Sequence, residues 1–482
     1  MADWTRRNLI HTAPLLALGA CASTPTQNRD PRDWAPAIGA FEHAQSSRTS
    51  LFDGVAPRFS TRGEEPIATI PTMPGLWAAA FDAQGRGFAL HGVIAEAPGV
   101  RGPAISRFDP ETMREVWRVD LPMRDDPGLW NYPGGLGVHA SGAVFVAYAA
   151  RLAKLDPESG AVLALRDLPA PNGLLHSTYN GFIVLSDGMI LAKSHHRQPD
   201  CPVQGFRAFI ECGVDGLPAS ALALIDPSDL SIIWEGVAPE LIGGRVSSTR
   251  FAGREYVYLA GANAVHRMIY DGRRLTLDPA WGPVAYRDGA ETPGTAVVGF
   301  GDYVAVQNNA LPTAAPMRVT VIAQADARDV YRIAPFADLG QLWSFMPSKV
   351  STDAINGRLY SAEAYGGLAA LELAGGQLRA VWRRPLRTGS FVTLMGDRAN
   401  RVLVASDIGE APIDRLGAPT HRTETARWLR AADGVELTHL SGLPRNFGLT
   451  LTPFGDGSLF YATRVQGLYR LRPPLPQTPG DQ

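Results

Sequence analysis

The sequence predicts an all-β chain folded as a β-propeller, most simply of eight four-stranded blades, and two observations carry that prediction. The first is a recurring phrase. Ile105-Ser106-Arg107-Phe108-Asp109-Pro110-Glu111-Thr112 runs on to Trp117, Leu152-Ala153-Lys154-Leu155-Asp156-Pro157-Glu158-Ser159-Gly160 repeats it, and Leu222-Ala223-Leu224-Ile225-Asp226-Pro227-Ser228-Asp229 runs on to Trp234. An apolar strand, an Asp-led turn and a second strand, returning at intervals of roughly 40 to 60 residues, are what radial repetition leaves in a sequence. The second is a series of tight turns between short apolar runs, at Gln84-Gly85, Ser141-Gly142, Asp187-Gly188, Ala252-Gly253, Gly301-Asp302, Asn356-Gly357, Ala399-Asn400 and Asp456-Gly457. Each is read as the turn between the two inner strands of a blade, since most carry the Gly, Asn or Asp that two-residue hairpins favour. The 50 Gly and 38 Pro among 482 residues suit a chain that reverses direction this often.

The elements follow in order along the chain. Residues 1–21 read as an export leader: Arg6-Arg7 precede an apolar run from Leu9 to Ala20, too short for the roughly 20 residues of a spanning helix. Thr5-Arg6-Arg7-Asn8-Leu9-Ile10 resembles a twin-arginine motif. Leu18-Gly19-Ala20-Cys21 resembles a lipobox, which implies lipidation at Cys21 and, with Ala22 next, an outer-membrane anchor facing the periplasm. Residues 22–63, with scattered Ser, Thr, Pro and Arg, read as a flexible tether. Residues 64–474 form the propeller domain and 475–482 a C-terminal tail.

Within the domain, third and fourth strands of successive blades meet at Asp109-Pro110, Asp156-Pro157, Asp226-Pro227, Asp271-Gly272, Asp326-Ala327, Gly375-Gly376 and Asp433-Gly434. The last blade runs out at Leu468-Tyr469-Arg470-Leu471 without an outer strand. Pro66-Ile67-Ala68-Thr69-Ile70-Pro71 resembles the outer strands at 117–122 and 164–169, so it is expected to complete that blade and close the ring. Seven blades remain the alternative, because Pro312, Pro316, Pro412 and Pro419 interrupt the fifth and seventh.

With 45 Lys+Arg against 47 Asp+Glu the chain lacks the basic excess that nucleic acid demands, so nucleic acid is excluded as a partner. Of the 3 Cys, Cys21 belongs to the lipobox, while Cys201 and Cys212 flank a loop rich in Pro and Gly. A disulfide between them fits an oxidising compartment and would contribute on the order of 3 kcal/mol.

The phrase of apolar strand, Asp, turn and Trp, as in Asp109 to Trp117 and Asp226 to Trp234, resembles the eight-bladed quinoprotein alcohol dehydrogenase-like propellers. That superfamily includes pyrroloquinoline-quinone (PQQ) dehydrogenases and a non-catalytic lipoprotein of the outer-membrane barrel-assembly machine. The resemblance implies that Trp117, Trp234 and Trp382 dock neighbouring blades. The chain departs from the dehydrogenases: it has no adjacent Cys-Cys pair and no C-x-x-C-H haem site, and no calcium-binding Glu, Asn and Asp set can be placed. PQQ is therefore disfavoured as a cofactor.

In a propeller, loops entering each innermost strand and loops leaving the second open on the same face. Residues there converge however far apart they lie in sequence. The candidate ligand-binding set is Trp130, Asn131, Tyr132, Tyr179, Asn180, Arg245, Gln307, Asn308, Trp343 and Glu363, an aromatic and amide-rich funnel. His176, Lys193 and His195 are the candidates for a general base. His91, His176 and His196 are the set offered to a metal, against which stands the divergence of side chains on successive residues. No G-x-S-x-G, H-E-x-x-H or phosphate-binding Gly loop is present. Three readings result: an anchored periplasmic propeller that binds a small molecule or a protein at its channel mouth; an enzyme, oxidoreductase or lyase, working in the same funnel; and, least favoured, a PQQ-dependent dehydrogenase.

Overall fold

The computed structural model describes residues 33–60, 76–92, 103–124, 130, 132–202, 211–287, 293–308, 316–340, 349–410, 420, 423–463 and 467–476. Eight antiparallel sheets follow one another along the chain. Their innermost strands are Leu76–Phe81, Gly135–Val138, Ser177–Val184, Ser247–Phe251, Val297–Phe300, Ser351–Asp353, Thr393–Gly396 and Asn446–Pro453. Each returns through one of the eight expected hairpin turns. Alternation follows depth in the blade: inner strands are buried on both faces, whereas outer strands such as Val162–Asp167 and Ile232–Val237 alternate half-buried with exposed.

The recurring phrase is the outer turn of each blade, as its chemistry predicts. Asp109 Oδ1 accepts from the backbone N–H of Glu111 and Thr112, and Asp156 Oδ1 does the same for Glu158 and Ser159. An Asp side chain thus closes the turn that the backbone alone would leave open. The Trp eight positions on docks blades as the resemblance implies. Trp117 of blade 1 lies on Gly160 of blade 2, where a Cβ would stand 2.8 Å from the indole. Trp382 of blade 6 covers Gly434 of blade 7 and donates Nε1–H to Ala431 O at 3.1 Å.

Apolar clusters fill the seams between blades. One joins blades 1 to 4, and others join 4 with 5, 5 with 6, 6 with 7 and 7 with 8. A last one, with Phe81, Phe108 and Phe460, joins blade 8 to blade 1 and closes the ring. Eight blades rather than seven are present. Blade 8 has three strands among the described residues; its expected fourth, at 66–71, lies outside them, as do the leader and Cys21. Ser60 N donates to Pro473 O at 2.7 Å, which brings the N-terminal chain alongside the end of that blade.

The expectation of a flexible tether over 22–63 is corrected for residues 33–60. They form a strap on the axis of the ring and bond to every blade. Gly39 O accepts from Phe81 in blade 1, Ala35 and Ala40 bond Val138 in blade 2, and Ser46 bonds Val184 in blade 3 and Ser248 in blade 4. Ser47 O, Thr49 O and Ser50 O accept from Gly299, Thr352 and Leu394 in blades 5, 6 and 7, and Arg58 N donates to Gly457 O in blade 8. Leu51–Asp53 adds a parallel strand to the inner edge of blade 7. The physical reason is the inner edge itself: eight innermost strands present unpaired N–H and C=O groups to the channel, and buried backbone groups demand partners.

Candidate functional site

Three kinds of position build a polar hub inside the ring: strand entries, second-strand exits and the strap. Glu42 of the strap is 3% exposed and receives Arg48 Nη1–H at 2.9 Å and Arg245 Nε–H at 2.7 Å. Burial pushes its carboxyl upward, but the two guanidiniums outweigh burial and hold it below the usual range. Arg48 is fully buried and also donates Nε–H to Val246 O and Nη2–H to Phe182 O, so one side chain pins the strap to blades 3 and 4. Lys349 answers from blade 6, donating Nζ–H to Arg48 O, Ser50 Oγ and Val350 O at 2.9 to 3.0 Å.

Above the strap, on the side of the loop face, stand the residues that strand-exit geometry predicts. Lys193 is wholly buried and donates to Ile242 O at 2.7 Å. Burial, then Arg245 and Arg48, push its ammonium far below the ordinary lysine value. His195 is held neutral chiefly by burial, then by Lys193. Trp130 packs edge-on to Tyr132 with centroids 5.8 Å apart and 5.5 Å from the His195 ring, and Arg197 lies 5.2 Å over the indole. The Tyr132 phenol is pushed up to about 12, mainly by burial. Asn180 Nδ2–H reaches Gly243 O at 3.3 Å, beside Arg245. Trp130, Tyr132, Asn180, Lys193, His195 and Arg245 therefore come together.

The remaining candidates go elsewhere. Tyr179 faces the seam of blades 2 and 3 and donates its OH to Pro169 O, so it is packing rather than lining. Gln307 Nε2–H bonds Ala362 O and its Oε1 accepts from Ser361, bridging blades 5 and 6. Asn308 Oδ1 caps Arg318 N. Glu363 Oε2 accepts from Tyr365 N and Gly366 N, and burial pushes its carboxyl to about 7. Asn308 and Glu363 have thus found backbone partners near in sequence, and Gln307 has found partners in the next blade. His176 is half-buried, and its backbone O accepts from Arg197 N. His91 bonds Ser106 Oγ in blade 1 and His196 bonds Ser194 Oγ in blade 3, so the metal set is not assembled. Among the described residues no three His, Cys, Asp or Glu form a metal-holding group. Asn131 and Trp343 lie outside the described residues. Cys201 and Cys212 form the expected disulfide, Cα atoms 5.9 Å apart.

The strap residues Glu42, His43 and Arg48, and Lys349 beside them, were not legible as site residues. The signal available was three large apolar residues, Trp34, Phe41 and Phe52, in a segment read as tether, where such residues are scarce.

The family model for outer membrane protein assembly factor BamB matches residues 102–302. Among solved structures, BamB from Moraxella catarrhalis aligns with 84% of this chain and 99% of its own at 11% identity and a TM-score of 0.51. The fold is the eight-bladed propeller of the BamB and quinoprotein type. Quinohemoprotein alcohol dehydrogenase from Comamonas testosteroni aligns with 94% of this chain and 83% of its own, at 11% identity and a TM-score of 0.51. The Dos1 propeller aligns with 85% and 95%, at 10% identity and 0.53. No curated protein sequence matches. Among the described residues the carboxylate of the hub, Glu42, is engaged by two arginines.

Proposed function

We propose that the protein is an exported, lipid-anchored binding propeller that presents its loop face to a periplasmic partner or small molecule. The observation that carries this reading is the strap. It fills the axis with the chain's own residues and occupies the hairpin face, where a cleft of about 350 Å³ remains with strap residues Ser46, Ser47 and Thr49 in its wall. The loop face is what remains for recognition.

The same strap gives the anchor a direction. Trp34 pairs with His139 beside the inner hairpin turn of blade 2, so the chain enters at the hairpin face. Cys21 lies 12 residues before Asp33, a reach of at most about 40 Å when extended. Lipidation there would turn the hairpin face toward the membrane and the loop face away from it. The family match and the BamB likeness support a scaffold role. The alternative, an enzyme working in the funnel, draws on Lys193 and His195, which the hub brings together.

A photo-crosslinker placed in cells at Asn263, an exposed second-strand exit, is expected to give a discrete protein adduct. One placed at Ser141, on the hairpin face, is not. Cys21→Ala should release the protein from the membrane fraction. Adducts from Ser141 alone, or a membrane association indifferent to Cys21→Ala, would reject the reading.

A further inference from the structure

The hub carries more positive charge and more hydrogen-bond donors than its own acceptors use. Arg48, Lys193, Arg245 and Lys349 are each at most 5% exposed, and among the described residues the carboxylate that meets them is Glu42. Arg48 and Lys349 are satisfied: every nitrogen of the first and the ammonium of the second have carbonyl, hydroxyl or carboxylate partners. The other two are not. As an ammonium, Lys193 would have three N–H groups and one acceptor, Ile242 O, while Arg245 bonds Glu42 through Nε. The buried indole Nε1–H of Trp130, in the same cluster, has no acceptor.

Buried donors left without acceptors cost about 1–3 kcal/mol each, and more where the group is charged. An acceptor-rich anion would accept from the Trp130 indole and the Lys193 ammonium and pair with the Arg245 guanidinium. Lys193 and His195, two apart on one strand, place the ammonium on the side of the Trp130 and Tyr132 rings, and Arg245 interacts with both Lys193 and Tyr132. We propose that this hub is a binding site for one small oxyanion, a phosphate, sulfate or short carboxylate group, held by Lys193, Arg245 and the Trp130 indole N–H.

The proposal is independent of the anchor and of any protein partner. It has a proton signature. Arg245 of blade 4, His195 and His196 of blade 3 and Arg48 of the strap face Lys193, with Glu42 the opposing charge among the described residues and the Tyr132 phenol of blade 2 neutral. Without an anion this surrounding favours a neutral amine; a bound oxyanion favours the ammonium. Binding should therefore take up a proton and weaken as pH rises.

The test uses the mature chain from Ala22 onward in Tris chloride, with sodium phosphate, sulfate and succinate as probes and sodium chloride matching ionic strength. At least one probe is expected to bind saturably by calorimetry and to raise the melting temperature above the chloride control. The three probes separate phosphoryl, sulfuryl and carboxylate ligands. Lys193→Met removes the ammonium while keeping the stem, and Trp130→Phe removes the N–H while keeping the ring. Each should weaken binding at least tenfold, and Lys193→Met should fold at least as stably as the parent without anion. If Lys193→Met does not fold, Trp130→Phe decides. No probe binding above the chloride control, or unchanged affinity in the variants, would overturn the proposal.

Discussion

Four imidazoles, His43, His91, His195 and His196, are no more than 4% exposed, and burial holds each below its ordinary pKa. His91 is lowered to about 3 by burial and then Arg118, and His196 to about 4 by burial and then Lys193. In the unfolded chain these groups titrate near 6.5, so below that pH the unfolded state binds protons the folded state refuses. Their contribution is complete above about pH 6.5 and is lost as pH falls, at up to ~1.4 kcal/mol per unit for each histidine. Glu363 acts in the opposite sense. Its folded pKa of about 7 exceeds the unfolded value, so between roughly 4.5 and 7 it gains stability as pH falls; Asp33 and Glu255, raised by burial, act in the same sense, and these three carboxyls stand against four imidazoles. The urea midpoint should fall steadily from pH 6.5 to 4, and His196→Gln should flatten part of that slope; a midpoint that rises on acidification would refute the assignment. Glu42→Gln tests the hub directly. It leaves Arg48 and Arg245 buried against a neutral amide, at a cost of about 3–5 kcal/mol in urea unfolding, whereas an incidental ion pair would lose under 1 kcal/mol.

The strap is the element whose behaviour departs furthest from its sequence pattern. The blades were legible because their signals are local: Asp109 and Asp156 close their turns within three residues, and glycines such as Gly85, with φ of 76°, sit where a hairpin needs them. Residues 33–60 have no such period, since their hydrogen bonds run to partners as distant as Val184, Thr352 and Gly457. A segment whose structure is borrowed from the far side of a ring looks like a linker until the ring is built. The site divides in the same way. Trp130 and Arg245 follow from strand-entry geometry, and Lys193 and His195 from strand-exit geometry, once the blades are aligned, but Glu42 and Arg48 depend on the strap. Gln307 is engaged across the seam by Ala362 O and Ser361, and Glu363 closes a turn with Oε2, contacts that strand-exit position alone does not reveal. Phe41 offers the sharpest check: it is fully buried, stacked on Trp34 at 4.0 Å between centroids, with Arg48 5.0 Å over its ring. Phe41→Ala should cost about 3–5 kcal/mol by chemical denaturation, where a tether residue would cost nothing measurable.

At the scale of the whole molecule, the strap changes what kind of object the propeller is. Stacked repeats touch only their neighbours, so stability accumulates pair by pair and unfolding can proceed in pieces. Here each seam has its apolar cluster, including the Phe81, Phe108 and Phe460 cluster that joins the two ends of the chain. The strap then adds a contact from one continuous segment to all eight blades, converting nearest-neighbour coupling into coupling through a hub. Loss of that hub should therefore reduce cooperativity more than the loss of any equal length of outer strand. A chain beginning at Asp33 retains every strap contact and should melt in a single calorimetric transition close to that of the mature protein. A chain beginning after Ser60 loses all of them and exposes eight inner edges to water. Its transition should move down in temperature and broaden, with calorimetric enthalpy exceeding the van't Hoff value as blades unfold in groups. Hydrogen exchange should locate the change in inner strands such as Val297–Phe300 and Ser351–Asp353, whose Gly299 and Thr352 N–H groups donate to the strap. If the two truncated chains melt alike, the strap is a passenger in the channel and the ring coheres through its seams alone.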